Sequence, residues 1–345
     1  MGIAKELNQL CYNLTGAYSE QITARGVLND LISKLSGTET GAERLGQALG
    51  TLSKDVGGVV WDASVFNNAS PSNNEAASIT SVQVPDGVTK ITNGGFYAFK
   101  GMTTISATES VKEISGGAFS GLTQLSSVSF PGVEKIAGGA FGGCSNFQAS
   151  TAEAFPKLKI LTEGALNGCS RYDRSSGSSE MYREGITEFS LPALEYIGNA
   201  VTGQGAGYRT INCPKLIEID DGNFCGAMYA VTLEDEEGNL NDLSLPSCEK
   251  IGGQNFNNFK CDKILLPKLR EIGADNFKAT EFSAFILSNP TKVCKLGDNC
   301  FQNMTQDDTH GWFYVPKHLL NQYKKEWSDL AERFRAIEDY PEIME

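Results

Sequence analysis

Six glutamates form the most regular set of chemically active side chains in this 345-residue sequence. Each lies one or two residues before an aliphatic residue: Glu113, Glu134, Glu195, Glu218, Glu249 and Glu271. Two carboxylates that face each other can act as the acid and the base of a glycosidase. Because these six occupy equivalent positions of a repeat, we interpret them instead as a solvated ridge.

Motifs of other enzyme classes are missing from the sequence. There is no H-E-x-x-H, G-x-S-x-G or P-loop pattern, and the two histidines, His310 and His318, lie near one end. The glycine-rich segment 203–209 is not a dinucleotide fingerprint, since no βαβ unit surrounds it. We therefore predict that the protein is not an enzyme.

The sequence gives little indication of a metal site or a bound cofactor. The nine cysteines are odd in number and form no C-x-x-C pair, which argues against a zinc site and against a disulfide framework. We predict reduced, mostly buried thiols that pack as small hydrophobic side chains. The acidic stretch 234–242 lacks the ligand spacing of a calcium loop. The prediction is no cofactor and no metal.

Two irregular segments carry arginine and tyrosine side chains that could contact a ligand. The first is an insertion at 171–183, rich in serine and glycine, and the second is the segment 203–209. Tyrosine and arginine on adaptable loops are typical of binding surfaces. The candidate ligand-binding residues are Arg171, Tyr172, Arg174, Tyr182, Arg183, Tyr208 and Arg209. The alternative is that the insertion is a solvated loop without a ligand.

Net charge limits the class of partner. The chain has 29 Lys and Arg against 42 Asp and Glu, a formal net charge of −13. Such a chain repels a phosphate backbone, so we predict no nucleic-acid partner. No apolar run approaches the roughly 20 residues that a membrane-spanning helix needs. A protein or a glycan is the expected receptor.

A repeat must position these side chains, because an aliphatic residue is followed five residues later by a bulky apolar one throughout the chain. The spacing between successive aliphatic positions is mostly 21–25 residues. The eight pairs are Ile91 and Phe96, Ile114 and Phe119, Ile136 and Phe141, Leu161 and Leu166, Ile219 and Phe224, Ile251 and Phe256, Ile272 and Phe277, and Leu296 and Phe301, while Ile197 begins a ninth frame without the large residue. We predict that all these side chains form a repeat core.

Eight of the nine frames follow a proline that ends a short strand, and the frame at Ile114 does not. Alternating runs such as 127–130 and 263–266 direct one face inward, and proline ends them because it cannot donate to a sheet ladder. The 37 glycines, about 11% of the chain, are expected to provide one tight bend per unit. One unit cannot bury its own apolar face, but stacked units share a continuous core.

The pattern I-x-x-x-A-F-x-G-C-x-x-L in residues 114–131 and 136–150 resembles the BspA-like class of bacterial leucine-rich repeats. The resemblance covers 79–315 and implies an α+β leucine-rich-repeat solenoid of about nine repeats with short stacked strands. It also implies a surface or virion protein that binds host proteins or glycans. The Asn/Cys ladder of the longer eukaryotic repeats is expected to be absent, so innate-immune receptor roles are not implied.

The two ends of the chain follow a helical pattern. Residues 1–57 predict two or three helices that either cap the solenoid or anchor it to other virion or surface-assembly proteins, and 58–78 is predicted to be a linker. Residues 316–345 predict a C-terminal capping helix and tail, with an apolar stripe from Leu320 to Phe334. A homo-oligomer is compatible with this organisation.

The N-terminus carries no secretory leader pattern. Together with the helical segment that precedes the repeats, this favours a bacteriophage virion protein, such as a fibre or attachment protein. The alternatives are a bacterial cell-surface or secreted adhesin whose leader has been removed, or a structural scaffold component of a larger particle.

Overall fold

The computed structural model describes residues 59–61, 77, 79–84, 88–147, 151–173, 182–203, 207–226 and 230–344. The helices predicted at 1–57 lie outside the described residues. Among the described residues, no helix is long and apolar enough to cross a membrane.

The described part consists of many short strands and two short helices. In chain order the strands are β1 (Val59–Trp61), β2 (Ser81–Gln83), β3 (Val88–Ile91), β4 (Thr104–Ser106), β5 (Glu113–Ile114), β6 (Ser127–Ser129), β7 (Lys135–Ile136), β8 (Ile160–Leu161), β9 (Ser170–Asp173), β10 (Tyr182–Gly185), β11 (Glu188–Ser190), β12 (Tyr196–Ile197), β13 (Thr210–Asn212), β14 (Glu218–Ile219), β15 (Val231–Thr232), β16 (Leu243–Ser244), β17 (Lys250–Ile251), β18 (Phe259–Lys260), β19 (Lys263–Leu265), β20 (Glu271–Ile272), β21 (Ala284–Ile286), β22 (Lys295–Leu296), β23 (Trp312–Val315) and β24 (Phe334–Ala336). The helices are α1 (Thr151–Ala154) and α2 (Leu320–Glu326).

Two parallel sheets run along the stack of repeats. The first has ten strands in the order β1-β3-β5-β7-β8-β12-β14-β17-β20-β22. The second side consists of a three-stranded sheet, β2-β4-β6, and a seven-stranded sheet, β11-β13-β16-β19-β21-β23-β24. Between β6 and β11, α1 takes the place of a strand, and the Thr151 hydroxyl donates to the Ser190 carbonyl over 2.8 Å. This architecture confirms the predicted leucine-rich-repeat solenoid.

The ten-stranded sheet was not predicted as a sheet. Most of its strands have only two residues, as in β5, where Glu113 is partly exposed and Ile114 is fully buried. Two residues are too few for alternation to stand out in a sequence. Its first strand, β1, pairs with β3 although it lies in the segment 58–78 that was predicted to be a linker.

The predicted repeat-core residues lie inside the solenoid. All are at most 3% exposed except Leu296, which is partly buried in the last layer. The phenylalanines stack from layer to layer. Phe256 and Phe277 have ring centroids 5.2 Å apart, as do Phe277 and Phe301, and in both pairs the rings are nearly parallel. A continuous aromatic column therefore fills the C-terminal half of the core.

Glycine forms most of the bends in the first half of the solenoid and few of those in the second. In the first half the left-handed positions are mostly glycines, such as Gly117 and Gly139. In the second half, non-glycine residues adopt the same conformation, including Phe256 (φ 55), Asn258 (φ 51) and Phe277 (φ 56). A bulky residue pays a conformational cost at positive φ. Burial of the aromatic rings offsets that cost, so one glycine per bend is not a requirement of this fold.

An asparagine ladder runs through the second half, contrary to the prediction that no such ladder is present. Asn223, Asn255 and Asn276 are fully buried. The Asn223 amide N–H donates to Asn255 Oδ1 over 2.7 Å, and the Asn255 N–H donates to Asn276 Oδ1 over 2.8 Å. Asn223 and Asn276 donate from Nδ2 to carbonyls of the preceding layer, Gly198 and Gly252, while Asn255 Nδ2 donates to the Gly253 carbonyl of its own layer. Each of the three asparagines directly precedes the phenylalanine of its frame, so they occupy equivalent positions of the repeat.

Cysteines occupy similar positions. Cys300 precedes Phe301 as Asn276 precedes Phe277, and its Sγ–H donates to the Gly273 carbonyl over 3.0 Å. In the first half, Cys144 and Cys169 donate to carbonyls of the preceding layers. These thiols therefore satisfy buried backbone groups as well as filling space.

All eight described cysteines are unpaired, and seven of them are buried, as predicted. Burial raises the pKa of the Cys213 and Cys248 thiols to about 12. A buried thiol with so high a pKa is a poor nucleophile at neutral pH. Cys11 lies outside the described residues.

The C-terminal cap contains a shorter α-helix than predicted. Helix α2 ends at Glu326, a 3₁₀ helix follows at Ser328–Arg333, and Phe334 begins strand β24, which pairs with β23. The apolar stripe still converges on the core: Trp327 contacts Phe301, and the Trp327 indole N–H donates to the Cys294 carbonyl over 3.0 Å. An added parallel strand closes the seven-stranded sheet where a longer helix was expected.

Candidate recognition surface

The predicted insertion forms a two-stranded antiparallel ribbon. Strand β9 carries Arg171 and Tyr172, strand β10 carries Tyr182 and Arg183, and in their register Arg183 lies opposite Tyr172. The structure thus brings four of the candidate ligand-binding residues into one hairpin. Arg174 lies outside the described residues.

The two candidate ligand-binding residues of the segment 203–209, Tyr208 and Arg209, lie in different environments. Tyr208 is fully buried, and its ring packs against Phe189 at 5.5 Å and Phe224 at 6.0 Å. Burial raises the pKa of its hydroxyl far above the usual value. The structure therefore corrects the placement of Tyr208 from a ligand surface to the core. Arg209 is partly exposed beside strand β13.

The outer face of the three-stranded sheet has no charged side chain on its strands. One row across it is Ser81, Thr104 and Ser127, and the second row is Gln83, Ser106 and Ser129. All six are exposed or partly exposed. The Thr104 hydroxyl donates to Ser81 Oγ over 2.9 Å. The strands therefore present a flat array of hydroxyl groups and one amide.

The seven-stranded sheet continues the second row with Ser190, Asn212 and Ser244. Asn212 Nδ2 donates to Ser190 Oγ over 3.3 Å. We call the outward residues of β2, β4, β6, β13 and β16, together with Ser190 of β11, the polar face. Exposed Glu188, at the start of β11, adds one carboxylate at its edge. Hydroxyl and amide groups on such a face can exchange hydrogen bonds with a polar partner without desolvating a charge.

Beyond Ser244 the residues of the same row are apolar, and the C-terminal segment covers them. Ile286 and Tyr314 are buried outside the main core, and Ile337, Tyr340 and Ile343 from the C-terminal 3₁₀ helices pack against them. The polar face that is open to a partner therefore ends where the C-terminal segment begins to cover the sheet.

An arginine, Arg335, contacts the aromatic side chains at this covered end of the sheet. The Arg335 guanidinium lies 3.4 Å from the centroid of the Trp312 ring and 5.0 Å from that of Tyr340. It also donates to the Tyr314 hydroxyl over 3.2 Å. The stacked cation holds the C-terminal segment against the outer face of the last strands.

The carboxylates of the ten-stranded side are mostly engaged by cations. Glu113 pairs with Lys90 at 2.9 Å, and Glu134 pairs with Lys159 at 2.8 Å. Glu218 and Glu249 pair with Lys250 and Arg270 in the same way. The hydrogen bond from Lys159 lowers the pKa of Glu134 below its usual value. Glu134 therefore has the opposite of the raised pKa that a general acid requires.

The family of the chain follows from its repeats. A family model described as the BspA type leucine-rich repeat region matches in six copies over residues 72–179 and 235–309. The chain belongs to this family. The predicted resemblance is thereby confirmed. No curated protein matches the sequence of this BspA-type protein.

Distant likenesses occur among solved structures. A leucine-rich repeat protein from Bacteroides ovatus is 18% identical with a TM-score of 0.40, and the match covers 68% of this chain and 63% of that protein. The pneumococcal vaccine antigen PcpA is 13% identical with a TM-score of 0.33, covering 77% of this chain and 80% of that one. A leucine rich cell surface protein from Faecalibacterium prausnitzii is 15% identical with a TM-score of 0.23, covering 63% and 78%. The BspA-type protein thus spans less than two thirds of the length of the Bacteroides ovatus protein.

Sequence reasoning missed the polar face of the BspA-type protein. The strand residues that alternate with the buried ones, such as Ser127 and Ser129 on either side of Val128, carried the signal. Reading the outward positions of successive strands as one row would have found it, because register aligns them across the layers.

Proposed function

We propose that the protein is a non-enzymatic recognition module that binds a protein or a glycan on its repeat surface. The observation that carries this proposal is the polar face, an array of hydroxyl and amide groups that extends over several layers with the carboxylate of Glu188 at its edge. The β9–β10 hairpin directly precedes β11 in the chain. Membership of a leucine-rich-repeat family supports it. The carboxylates of the ten-stranded side pair with lysine and arginine and not with each other, so they give no support to a glycosidase.

The hairpin provides the first test. We expect a variant with Arg171→Ala, Tyr172→Ala, Tyr182→Ala and Arg183→Ala to bind at least tenfold more weakly to any protein or glycan that the wild type retains, because aromatic and arginine anchors dominate recognition energies. Binding is measured by surface plasmon resonance against panels of purified extracellular proteins and neutral and acidic glycans. The control replaces two lysines of α2, the partly exposed Lys324→Ala and the exposed Lys325→Ala, and should bind as the wild type does.

Two outcomes contradict the proposal. The wild type fails to bind every member of both panels, or it turns over a panel member and loses that activity when Glu113 and Glu134 are replaced by glutamine. Unchanged unfolding midpoints of the variants show that any lost binding is not lost folding.

The location we propose is a bacteriophage particle, with the bacterial cell surface as the alternative. The helical pattern of residues 1–57, ahead of the repeats, supports attachment to a larger assembly. We expect the chain to co-sediment with purified particles, and a variant that lacks residues 1–57 to stay in the soluble fraction while its repeats remain folded. Recovery of the chain from cell envelopes and not from particles would assign it to the bacterial surface instead.

A further inference from the structure

One corner of the solenoid carries a row of lysines. Lys215, Lys268 and Lys292 each lie three residues before a strand of the ten-stranded sheet, β14, β20 and β22 respectively. Ser247 holds the same place before β17. Because these strands are neighbours in register, the four residues line one edge of four successive layers. We call Lys215, Ser247, Lys268 and Lys292 the lysine corner.

The three lysines are exposed and have no ion-pair partner among the described residues. Other lysines behave differently. Lys157, which lies at the same place before β8, pairs with Glu109 at 2.8 Å. The lysine corner therefore has free positive charge on a chain whose net charge is −13.

Carboxylates on the adjoining strands do little to neutralise the lysine corner. Glu218 and Glu249 are engaged by Lys250 and Arg270. Glu271 stands in register with Lys295, a further exposed cation. The local field at this edge is thus positive, and exposed charges act over about 8–10 Å at ordinary salt.

The spacing of the lysines indicates which polyanion they suit. Neighbouring layers are about 4.8 Å apart, so the cations are spaced by about 5 to 10 Å along the solenoid axis. Duplex DNA carries one charge per about 1.7 Å, a density that three cations on an acidic protein cannot match. A polysaccharide with one anionic group on each sugar, or on every second sugar, is charged far more sparsely.

The surroundings of the lysine corner also favour a sugar over a protein. Asn212 and Ser244 of the polar face lie three residues before Lys215 and Ser247, and both are exposed. They offer hydrogen bonds to sugar hydroxyls beside the charged row. None of the four corner residues is aromatic or apolar. Ile217, 46% exposed, lies beside Lys215, but a single isoleucine is not one of the tryptophan, tyrosine or arginine anchors that dominate protein interfaces.

We propose that the lysine corner binds an acidic polysaccharide whose chain runs along the solenoid axis. The anionic groups would be uronate carboxylates or sulfate esters, and each would lie against one lysine. This inference rests on the proposed recognition function and names the ligand class for part of its surface.

The test compares the wild type with the triple variant Lys215→Gln, Lys268→Gln and Lys292→Gln. The probes are sodium alginate for uronate, dextran sulfate for sulfate, neutral dextran and a short DNA duplex, measured by biolayer interferometry at low and raised NaCl. We expect the wild type to bind alginate or dextran sulfate and not neutral dextran, with weaker binding as salt rises. The triple variant should bind about tenfold more weakly, the effect of three exposed charge pairs together.

The matched control replaces three exposed lysines elsewhere, Lys100→Gln, Lys112→Gln and Lys135→Gln, and has the same net charge as the test variant. It should bind within about twofold of the wild type, because the interaction is local. Equal losses in the two variants, or no binding of either acidic polysaccharide, overturn the inference. Tighter binding of the DNA duplex than of both polysaccharides also overturns it and assigns a nucleic-acid partner. Binding of a protein or a neutral glycan in the panels of the recognition test, without binding of either acidic polysaccharide, would leave the recognition function standing while this inference fails.

Discussion

Replacement of Phe277 by alanine should lower the free energy of unfolding by about 3–5 kcal/mol, as expected for a large aromatic residue removed from a packed core. Phe277 is fully buried in the middle of the aromatic column, with Phe256 and Phe301 both at 5.2 Å. Phe285 meets the same ring edge-on at 5.1 Å. The variant therefore loses contacts with three neighbouring rings and leaves a cavity between layers. Denaturant unfolding measures the loss, and hydrogen exchange of the neighbouring layers locates it.

Backbone strain makes a second variant informative at the same position. Phe277 adopts a φ of 56, and alanine keeps that strain whereas glycine relieves it. We therefore expect Phe277→Gly to be no less stable than Phe277→Ala, the reverse of the usual order in regular structure. The control is Tyr97→Ala, at a side chain 57% exposed, with an expected change within about 0.5 kcal/mol. Similar losses for Phe277→Ala and Tyr97→Ala would show that the aromatic column does not stabilise the fold.

Replacement of Asn276 by alanine should cost about 3 kcal/mol, because each buried polar group left unsatisfied costs about 1–3 kcal/mol. The Asn276 side chain accepts the Asn255 amide N–H over 2.8 Å and donates to the Gly252 and Gly273 carbonyls over 2.6 and 2.7 Å. Alanine removes all of these bonds where water has no access. The midpoint of denaturant unfolding measures the change.

Two further variants distinguish the stability that the hydrogen bonds of the ladder contribute from the stability that the volume of the asparagine side chain contributes. Asn276→Cys keeps a donor toward the preceding layer, as Cys300 does naturally, so we expect it to be more stable than Asn276→Ala. Asn212→Ala removes an exposed amide and should change stability by no more than about 0.5 kcal/mol. If Asn276→Ala proves as mild as Asn212→Ala, the ladder is dispensable.

Sequence periodicity predicts the core of this fold well. Each frame places one aliphatic residue and one bulky residue per layer, as with Ile114 and Phe119, and both are fully buried. The pattern works because every layer repeats the same burial problem, so a side chain that packs in one layer packs in the next.

The sequence predicted the position of a side chain less well where contacts with a neighbouring layer determine that position. Tyr208 lies in a segment whose composition is typical of a binding loop. Its side chain is nevertheless in the core, because the ring fills the space between Phe189 and Phe224. Asn223, Asn255 and Asn276 look like ordinary turn residues in the sequence, and only the stacking of layers aligns their amides. Nothing local to a loop shows which layer it will meet.

The sequence by itself determined the family, the stacking of repeat units and the identity of the core, since all three follow from a repeated pattern of apolar residues along the chain. Only the tertiary structure decided which polar side chains share a surface. Ser81, Thr104 and Ser127 are 23 residues apart in succession, and Lys215 and Lys268 are separated by a whole intervening layer. The polar face and the lysine corner exist because strand register brings equivalent positions of successive layers to within a few ångströms of each other.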